Sequence, residues 1–354
     1  MDALKQMING VKVVGKLKTK NLKYDEDNKG IAIIRGNVVV EVKNGDKLNN
    51  IYLNVYTKAQ TNSGKENGFY KGFQTVLEDY KDADTYGDDA DMVSVVGDIS
   101  FNVYADASDN LRQNNRIRAN RFHRLGNDDE IVQEATGTVG AIIMGYKDVM
   151  DGDGIPTGEQ KVKTLSILYG GKSSTLVGLQ VNSDIQMSEY VPVGSPCEIS
   201  FDINNYVVVK KQKEQANGFG NFKDVTTHSS FTSNLEITGG QPYEYEFTDE
   251  QLQEAVKNLR SQIEEAKNNT SSKRAENFVK HDKGFNNFLD NAKPKNNKPA
   301  QKATPKPVEK TPESVKKQET KTENAANPFD GNNTVKDDDE FDSAWWWDYF
   351  SINK

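Results

Sequence analysis

The stretch "SDNLRQNNRIRANRFHRLGNDD" carries Arg112, Arg116, Arg118, Arg121 and Arg124, with no acidic residue between Asp109 and Asp128. The chain as a whole is acidic, with a formal charge of −8, so this concentration of guanidinium groups is a local feature. Arginine is planar, permanently charged, able to grip a phosphate through two parallel N–H donors, and able to stack on flat rings. Tyr104 and Phe122 bracket the stretch. Together they offer neutralisation for a polyanion and platforms for planar groups. The competing reading is a hairpin whose exposed arginines serve solubility.

Two further segments could extend such a surface. In "VKVVGKLKTKNLKYDEDNKG", Lys16, Lys18 and Lys20 recur at period two. That spacing places them on one face of an extended segment, where they would track a phosphate backbone or simply form a solvated strand face. In "IYLNVYTKAQTNSGKENGFYKGFQTV", Tyr52 and Tyr56 share a strand face that is either core or stacking surface. Phe69, Tyr70 and Phe73 follow in a Gly- and Asn-rich stretch read as a loop. Burial of three rings in a loop needs more explanation than exposure, so these three are candidate stacking platforms.

Enzymatic constellations are weaker. "LYGGKSST" looks like the end of a phosphate-binding loop, but Ser166 stands where that motif needs glycine, and no helical pattern follows. "DVMDGDGIPTGE" holds Asp151 and Asp153 without the spaced ligands and terminal Glu of a calcium loop, and reads as a turn. His123, His228 and His281 lie in dissimilar contexts, and Cys197 is the single cysteine, so neither an intrachain disulfide nor a thiolate-rich zinc site is expected. The expectation is a non-enzymatic protein with no catalytic residue, no metal and no cofactor.

The elements that must position these groups are strands. From about residue 8 to about 240, short runs rich in Val, Ile, Tyr and Phe alternate with Gly, Asn and Asp turns, which predicts an all-β barrel or sandwich. "GFQTVLEDYKDA" could supply one short helix between strands. An internal echo links "VSVVGDISFNVY" with "VPVGSPCEISFDINNY", and "VKVVGKL" with "TGTVGAII". It predicts two copies of one small barrel, residues 1–128 and 129–240, although chance similarity between β-rich segments is the plainer explanation.

After "ITGG" the pattern changes to one amphipathic helix, residues 241–269, with Thr248 and Gln251 as a capping box and Leu252, Ala255, Val256, Leu259, Ile263 and Ala266 at helical spacing. Its apolar stripe is expected to dock on the preceding barrel. Residues 270–336 are Lys-, Pro-, Asn- and Thr-rich and read as a disordered basic linker. The last segment, 337–354, joins the acidic run Asp337, Asp338, Asp339 and Glu340 to Phe341, Trp345, Trp346, Trp347 and Phe350. Carboxylates would steer this tail toward a basic pocket and aromatic rings would anchor it there, making it a partner-binding peptide. No apolar stretch approaches the ~20 residues that span a bilayer. The expectation is a cytoplasmic protein without a membrane partner.

With barrel-sized strands, a basic aromatic hairpin and an acidic aromatic end, the chain resembles single-stranded DNA-binding proteins with OB folds, of bacteriophage type. "VVGDISFNVY" and "NNRIRANRFHRL" are similar to the closing strands of OB domains in phage and Gram-positive replication-associated proteins, and "DDDEF" matches the family's acidic run followed by an aromatic. The resemblance implies tandem OB-like barrels that bind single-stranded DNA by stacking and backbone neutralisation, as a monomer or a homo-oligomer in a bacterial host cell. It also implies a tail that recruits replication or recombination proteins and competes with DNA for the groove. On that reading Lys16, Lys18, Lys20, Arg112, Arg116, Arg118 and Arg121 face phosphate, and Tyr56, Phe69, Tyr70, Phe73 and Phe122 face bases. The family usually ends in a short apolar pair, whereas this chain continues to Lys354. The alternative class is a structural or adaptor protein of a phage whose β domains and tail bind protein partners.

Overall fold

Five strands close on themselves in the first part of the chain. In the computed structural model, which describes residues 5–45, 47–105, 110–126, 131–185, 187–212, 226–244 and 247–268, these are β1 (Asn9–Glu26), β2 (Ala32–Asn44), β3 (Lys47–Lys58), β4 (Met92–Ala105) and β5 (Leu111–Arg124). β1 pairs antiparallel with β2 and β2 with β3; β3 runs parallel to β5; β5 pairs antiparallel with β4 and β4 with β1. That circuit is the five-stranded Greek-key barrel of the OB fold. Between β3 and β4 lie α1 (Gly68–Asp79) and a short turn of helix, α2 (Ala83–Tyr86).

The second part repeats the scheme with β6 (Glu134–Met150), β7 (Pro156–Ile167), β9 (Leu179–Val181), β10 (Pro196–Gln212) and β11 (Thr226–Pro242). β6–β7, β7–β9, β11–β10 and β10–β6 are antiparallel, and β9–β11 is parallel. Here α3 (Met187–Tyr190) stands where α1 stands in the first barrel, and β8 (Ser173–Ser174) adds a short pairing with β7. The strands that echo each other in sequence, β1 with β6 and β4 with β10, occupy equivalent places in the two circuits. The repeat is therefore structural, and the tandem OB-like, all-β architecture follows from it.

The barrels share one sheet because β1 also pairs antiparallel with β6, from Asn9 opposite Val139 to Val14 opposite Glu134. Inward-facing residues of both barrels, among them Val13, Ile34, Ile51, Ile99 and Ile117 with Ile143, Leu179, Ile199, Phe201 and Ile237, form one continuous buried cluster. Close packing needs the glycine at Gly137, where the Phe201 ring lies against the backbone and leaves no room for a side chain. In β2 the φ of 148° at Gly36 and its contact with the Asn21 carbonyl exclude a Cβ.

Residues 249–268 form one helix, α4. Its start is the capping box: Thr248 Oγ1 accepts the Gln251 amide at 3.3 Å and Gln251 Oε1 accepts the Thr248 amide at 3.0 Å. Ala255, Val256, Leu259 and Ile263 bury their side chains against Met7, Ile142, Leu165 and Ile167. Each buried aliphatic side chain of this size contributes about 1.5–3 kcal/mol, which is ample for a five-turn helix to dock on the outside of β6 and β7. Asn258 and Gln262 fix it laterally through the carbonyls of Gly171 and Ser173, at 3.3 and 3.0 Å. The basic segment 270–336 and the acidic aromatic segment 337–354 lie outside the described residues. Among the described residues, no helix is long and apolar enough to cross a membrane.

Candidate nucleic-acid interface

Antiparallel partners share a face, so the register sorts the predicted residues. On β5, Ile117, Ala119 and Phe122 oppose Ile99, Gly97 and Val95 and face inward. Arg116, Arg118, Arg121 and His123 oppose Ser100, Asp98, Val96 and Ser94 and face outward. A register shift between Val96 and Gly97 keeps Arg121 on the outer face despite its odd spacing from Arg118. On β3, Asn49, Ile51, Leu53, Val55 and Thr57 are buried, which turns Tyr52, Asn54, Tyr56 and Lys58 outward. Asn54 lies beside Arg118 in the parallel pair, and Tyr56 opposes Arg35 of β2. Arg35, Tyr56 and the Arg118–Arg121 stretch therefore cross three adjacent strands on one open surface.

α1 borders this surface. Asn67 caps it, accepting the Phe69 amide at 3.1 Å while its Nδ2 donates to the Lys58 carbonyl at 2.8 Å, and so ties the helix start to the end of β3. Phe69, Tyr70 and Phe73 thus belong to the first turns of a helix, not to a loop. Helical spacing splits them: Phe73, Val76 and Tyr80 enter the core and Phe69 is 52% exposed. Phe73 meets Phe122 edge-on, with centroids 5.8 Å apart and planes at 74°. Tyr70 is half-buried against the core.

Between the α1 start and β5 opens a cleft of about 450 Å³, lined by Phe69, Phe73, Asn120, Arg121 and Phe122 with Gly68 and Gly72 beside them. Among the described residues beyond their own helix backbone and chain neighbours, no atom lies within 4 Å of the Cβ positions of those two glycines. The Arg121 guanidinium sits 6.0 Å from the Phe69 ring centroid, within cation–π range. Four of the twelve residues assigned to DNA from sequence, Phe69, Phe73, Arg121 and Phe122, meet here. Tyr56 (48% exposed) and Arg116, which has no ion-pair partner among the described residues, continue the same face.

The remaining assignments are placed differently. Arg118 lies on the face but is paired with Asp98, with Nη2 and Nε at 2.8 and 3.2 Å from one carboxylate oxygen. Arg112 is on the same side, six residues from Arg118 along β5 and opposite Tyr104. The three lysines do not share a face. A register shift between Leu17 and Thr19 sets Lys16 opposite Glu41 but Lys20 opposite the buried Val38. Lys18 pairs with Glu41 at 3.3 Å and Asn50 at 2.8 Å, and Lys16 lies 3.4 Å from Asp88. Lys20 turns under α1, where Nζ donates to the Leu77 and Tyr80 carbonyls at 2.9 and 2.6 Å and closes the C-terminal turn.

Two cations flank Tyr56 on this surface: Arg35, which sequence reasoning left out, and Lys58, which it noted among the lysines alternating with the aromatic rings but did not assign to DNA. Arg35 is the lone charge inside "IAIIRGNVVV", a signal that period-two alternation makes readable. It pairs with Asp25. Lys58 donates to Asp27 Oδ2 at 2.7 Å, and the amides of Lys29 and Ile31 donate to Oδ1 of the same carboxylate at 2.9 and 3.0 Å. These donors, Lys58 foremost, hold the Asp27 carboxyl down to about 2. The β1–β2 turn is thereby pinned to the rim of the face.

The second barrel offers no equivalent surface among the described residues. β9 spans three residues where β3 spans twelve, and α4 covers the outer side of β6 and β7. "DVMDGDGIPTGE" is the β6–β7 turn, organised by Asp151 Oδ1 accepting the amides of Asp153 and Ile155. Among the described residues, no group of three or more His, Cys, Asp or Glu is placed to hold a metal.

Fold and site together define a tandem OB-type barrel protein whose first barrel carries an open arginine–aromatic face with an adjoining cleft. The family model YorF matches residues 8–269, and the chain belongs to the YorF family. No curated protein sequence matches it. Among solved structures it is similar to a deletion mutant of the single-stranded DNA binding protein from Thermus aquaticus, with TM-score 0.42 and 10% identity over 70% of this chain and 100% of that one. The wild-type Thermus aquaticus protein gives TM-score 0.41 and 10% identity over 69% of this chain and 97% of the other.

Proposed function

We propose that this protein binds single-stranded DNA without sequence preference and without catalysis, using the outer face of β3 and β5 and the cleft beside α1. The observation that carries this reading is that two exposed rings, Tyr56 and Phe69, lie with Arg116 and Arg121 on a face left exposed among the described residues. Each base offers a π face to an aromatic ring whatever its identity, and guanidinium groups meet the phosphates between bases. The β2–β3 side of OB barrels is a general oligonucleotide surface. A duplex hides its base faces, so exposed rings at the centre of a basic strip favour single strands. The adaptor alternative would have Tyr56, Phe69 and Phe122 all buried and the arginine hairpin paired with carboxylates. Tyr56 and Phe69 are about half exposed and Arg116 has no ion-pair partner among the described residues, while Phe122 faces inward and Arg118 and Arg124 pair with Asp98 and Asp91.

Within this reading, residues 1–128 form the DNA-binding unit and 129–240 a packing unit, and the segment 337–354 recruits replication or recombination proteins. The test is a titration of fluorescent oligo-dT with the full-length protein at low and high salt. Affinity that falls as salt rises and is undisturbed by a duplex competitor of equal length supports the reading. Binding that needs a duplex, or that is unchanged in molar salt, overturns it.

A further inference from the structure

β4 and β5 run on past the point where the first barrel closes. Within the barrel, Val95, Ile99 and Ile117 face the core; farther out, Phe101, Val103 and Leu111 keep the same side of the ribbon by alternation. There they pack on the apolar cluster of Met7, β6, β7 and α4. Hydrogen bonds on that side are directed to the β8–β9 region. The Phe101 amide donates to Ser174 Oγ at 2.9 Å. Asn115 pairs with the Val177 peptide through both its amide nitrogen and its oxygen, at 2.6 and 2.9 Å. Gln262 of α4 in turn holds the Ser173 carbonyl.

The other side of the ribbon belongs to the arginine face. Arg112, Asn114 and Arg116 oppose Tyr104, Asn102 and Ser100, in line with Arg118 opposite Asp98. From Arg121 to Arg112 the strand advances about 30 Å, at ~3.3 Å per residue. An unsupported two-stranded ribbon of that kind is at best marginally stable in water. Here one face is backed by the second barrel and the other carries Arg112, Asn114 and Arg116.

We propose that the second barrel and α4 act as a splint for the β4–β5 hairpin, which makes it a rigid arm extending the single-stranded DNA track of the first barrel. This rests on the DNA-binding reading above. Holding the arm in place before the strand arrives removes the cost of ordering it on binding. The splint also assigns the second barrel a role in affinity without any contact to DNA.

The test uses full-length protein carrying Leu111→Ser, a partly buried arm residue on the splinted side, and oligo-dT of about 8 and about 30 nucleotides, spanning the usual site sizes of OB folds. The expected result is faster hydrogen exchange at arm amides and about tenfold weaker binding of the longer oligonucleotide, with the shorter one bound as before. Arg116→Ala should weaken the longer complex in the native background and add little in the Leu111→Ser background, because the two act through one arm. Gln262→Ala, which removes only the bond from α4 to Ser173, should show the same pattern more weakly and guards against loss of folding in Leu111→Ser. Unchanged arm exchange, or an Arg116→Ala effect equal in both backgrounds, overturns the splint. If the native protein binds neither oligonucleotide, the DNA reading itself falls and the arm's role falls with it.

Discussion

Asn115 of β5 and Val177, just before β9, exchange two hydrogen bonds across 62 residues: Nδ2 donates to the Val177 carbonyl at 2.6 Å, and Oδ1 accepts its amide at 2.9 Å. A side-chain amide thus continues the pairing that a strand would make, and Asn115 is buried while doing so. Asn115→Ala leaves the partly buried Val177 peptide without both partners, at a cost of up to about 1–3 kcal/mol for each. Asn115→Asp is expected to be worse, since a carboxylate cannot donate to the carbonyl. Urea denaturation followed by circular dichroism measures both; an Asn115→Ala midpoint equal to that of the native protein would show that the contact does not join the barrels energetically.

Phe69 and Phe73 are one helical turn apart and have opposite fates. Phe73, 4% exposed, is anchored edge-on to Phe122. Phe73→Ala should therefore cost about 3–5 kcal/mol of stability. Phe69→Ala should change stability by no more than about 0.5 kcal/mol. The same change should weaken oligo-dT binding by about 1–3 kcal/mol, the loss of one stacked base. Thermal melts and fluorescence titrations of both variants separate the two; a Phe69→Ala protein that binds normally would remove the cleft from the DNA site.

The strands, the repeat, the capping box and the docking face of α4 could be read from the chain because each rests on local pattern. Val, Ile and Tyr alternation marks strands, and Thr248, Gln251, Leu252 and Leu259 stand at helical spacing. What alternation could not give was its own interruption. The shift at Leu17 and Thr19 turns Lys20 from the outer face to the underside of α1. No residue type announces that shift, since it is set by strand closure around the barrel. The α1 helix is readable from Gly72 onward in "GFQTVLEDYKDA", but its first turn over Phe69 and Tyr70 is obscured by Gly68 and Gly72, although Asn67 as its cap carries the signal. Ion pairing of Arg118 with Asp98 follows from cross-strand register, which a sequence does not print.

That pair makes a quantitative distinction between neighbouring arginines. Asp98 accepts from Arg118 and also from Asn120 Nδ2 at 2.9 Å, so Arg118 is partly neutralised within the protein. Arg116→Ala should weaken binding and reduce the salt dependence by about one phosphate contact. Arg118→Ala should do less of both. Asp98→Asn removes the competing charge and should tighten binding, after which Arg118→Ala becomes as costly as Arg116→Ala. Titrations of the three single variants and the Asp98→Asn/Arg118→Ala double variant at several salt concentrations decide this. Equal losses for the two arginines with Asp98 intact would mean the ion pair opens at no cost when DNA binds.

pH acts on Asp202 and Asp27 with opposite sign. Burial, and then the neighbouring Glu236 and Glu134 carboxylates, raise Asp202 above its ordinary 3.8. In the interval from 3.8 up to its raised value, the folded state binds more protons than the unfolded state at this site, so its contribution to stability falls as pH rises. Asp27 does the reverse: held near 2, it stabilises the fold above 3.8 and loses that contribution as pH drops toward 2. Asp202→Asn should therefore be more stable than the native protein at neutral pH, with the advantage shrinking as pH falls to 3.8. Asp27→Asn should be less stable at neutral pH, with the deficit shrinking as pH falls from 3.8 toward 2. Urea midpoints of the three proteins across the acid range measure both slopes. If Asp202→Asn were destabilising at neutral pH, the carboxylate would have to be a favourable partner in its strand face, and the crowding of acidic groups across β10, β11 and β6 would not be a cost that the fold carries.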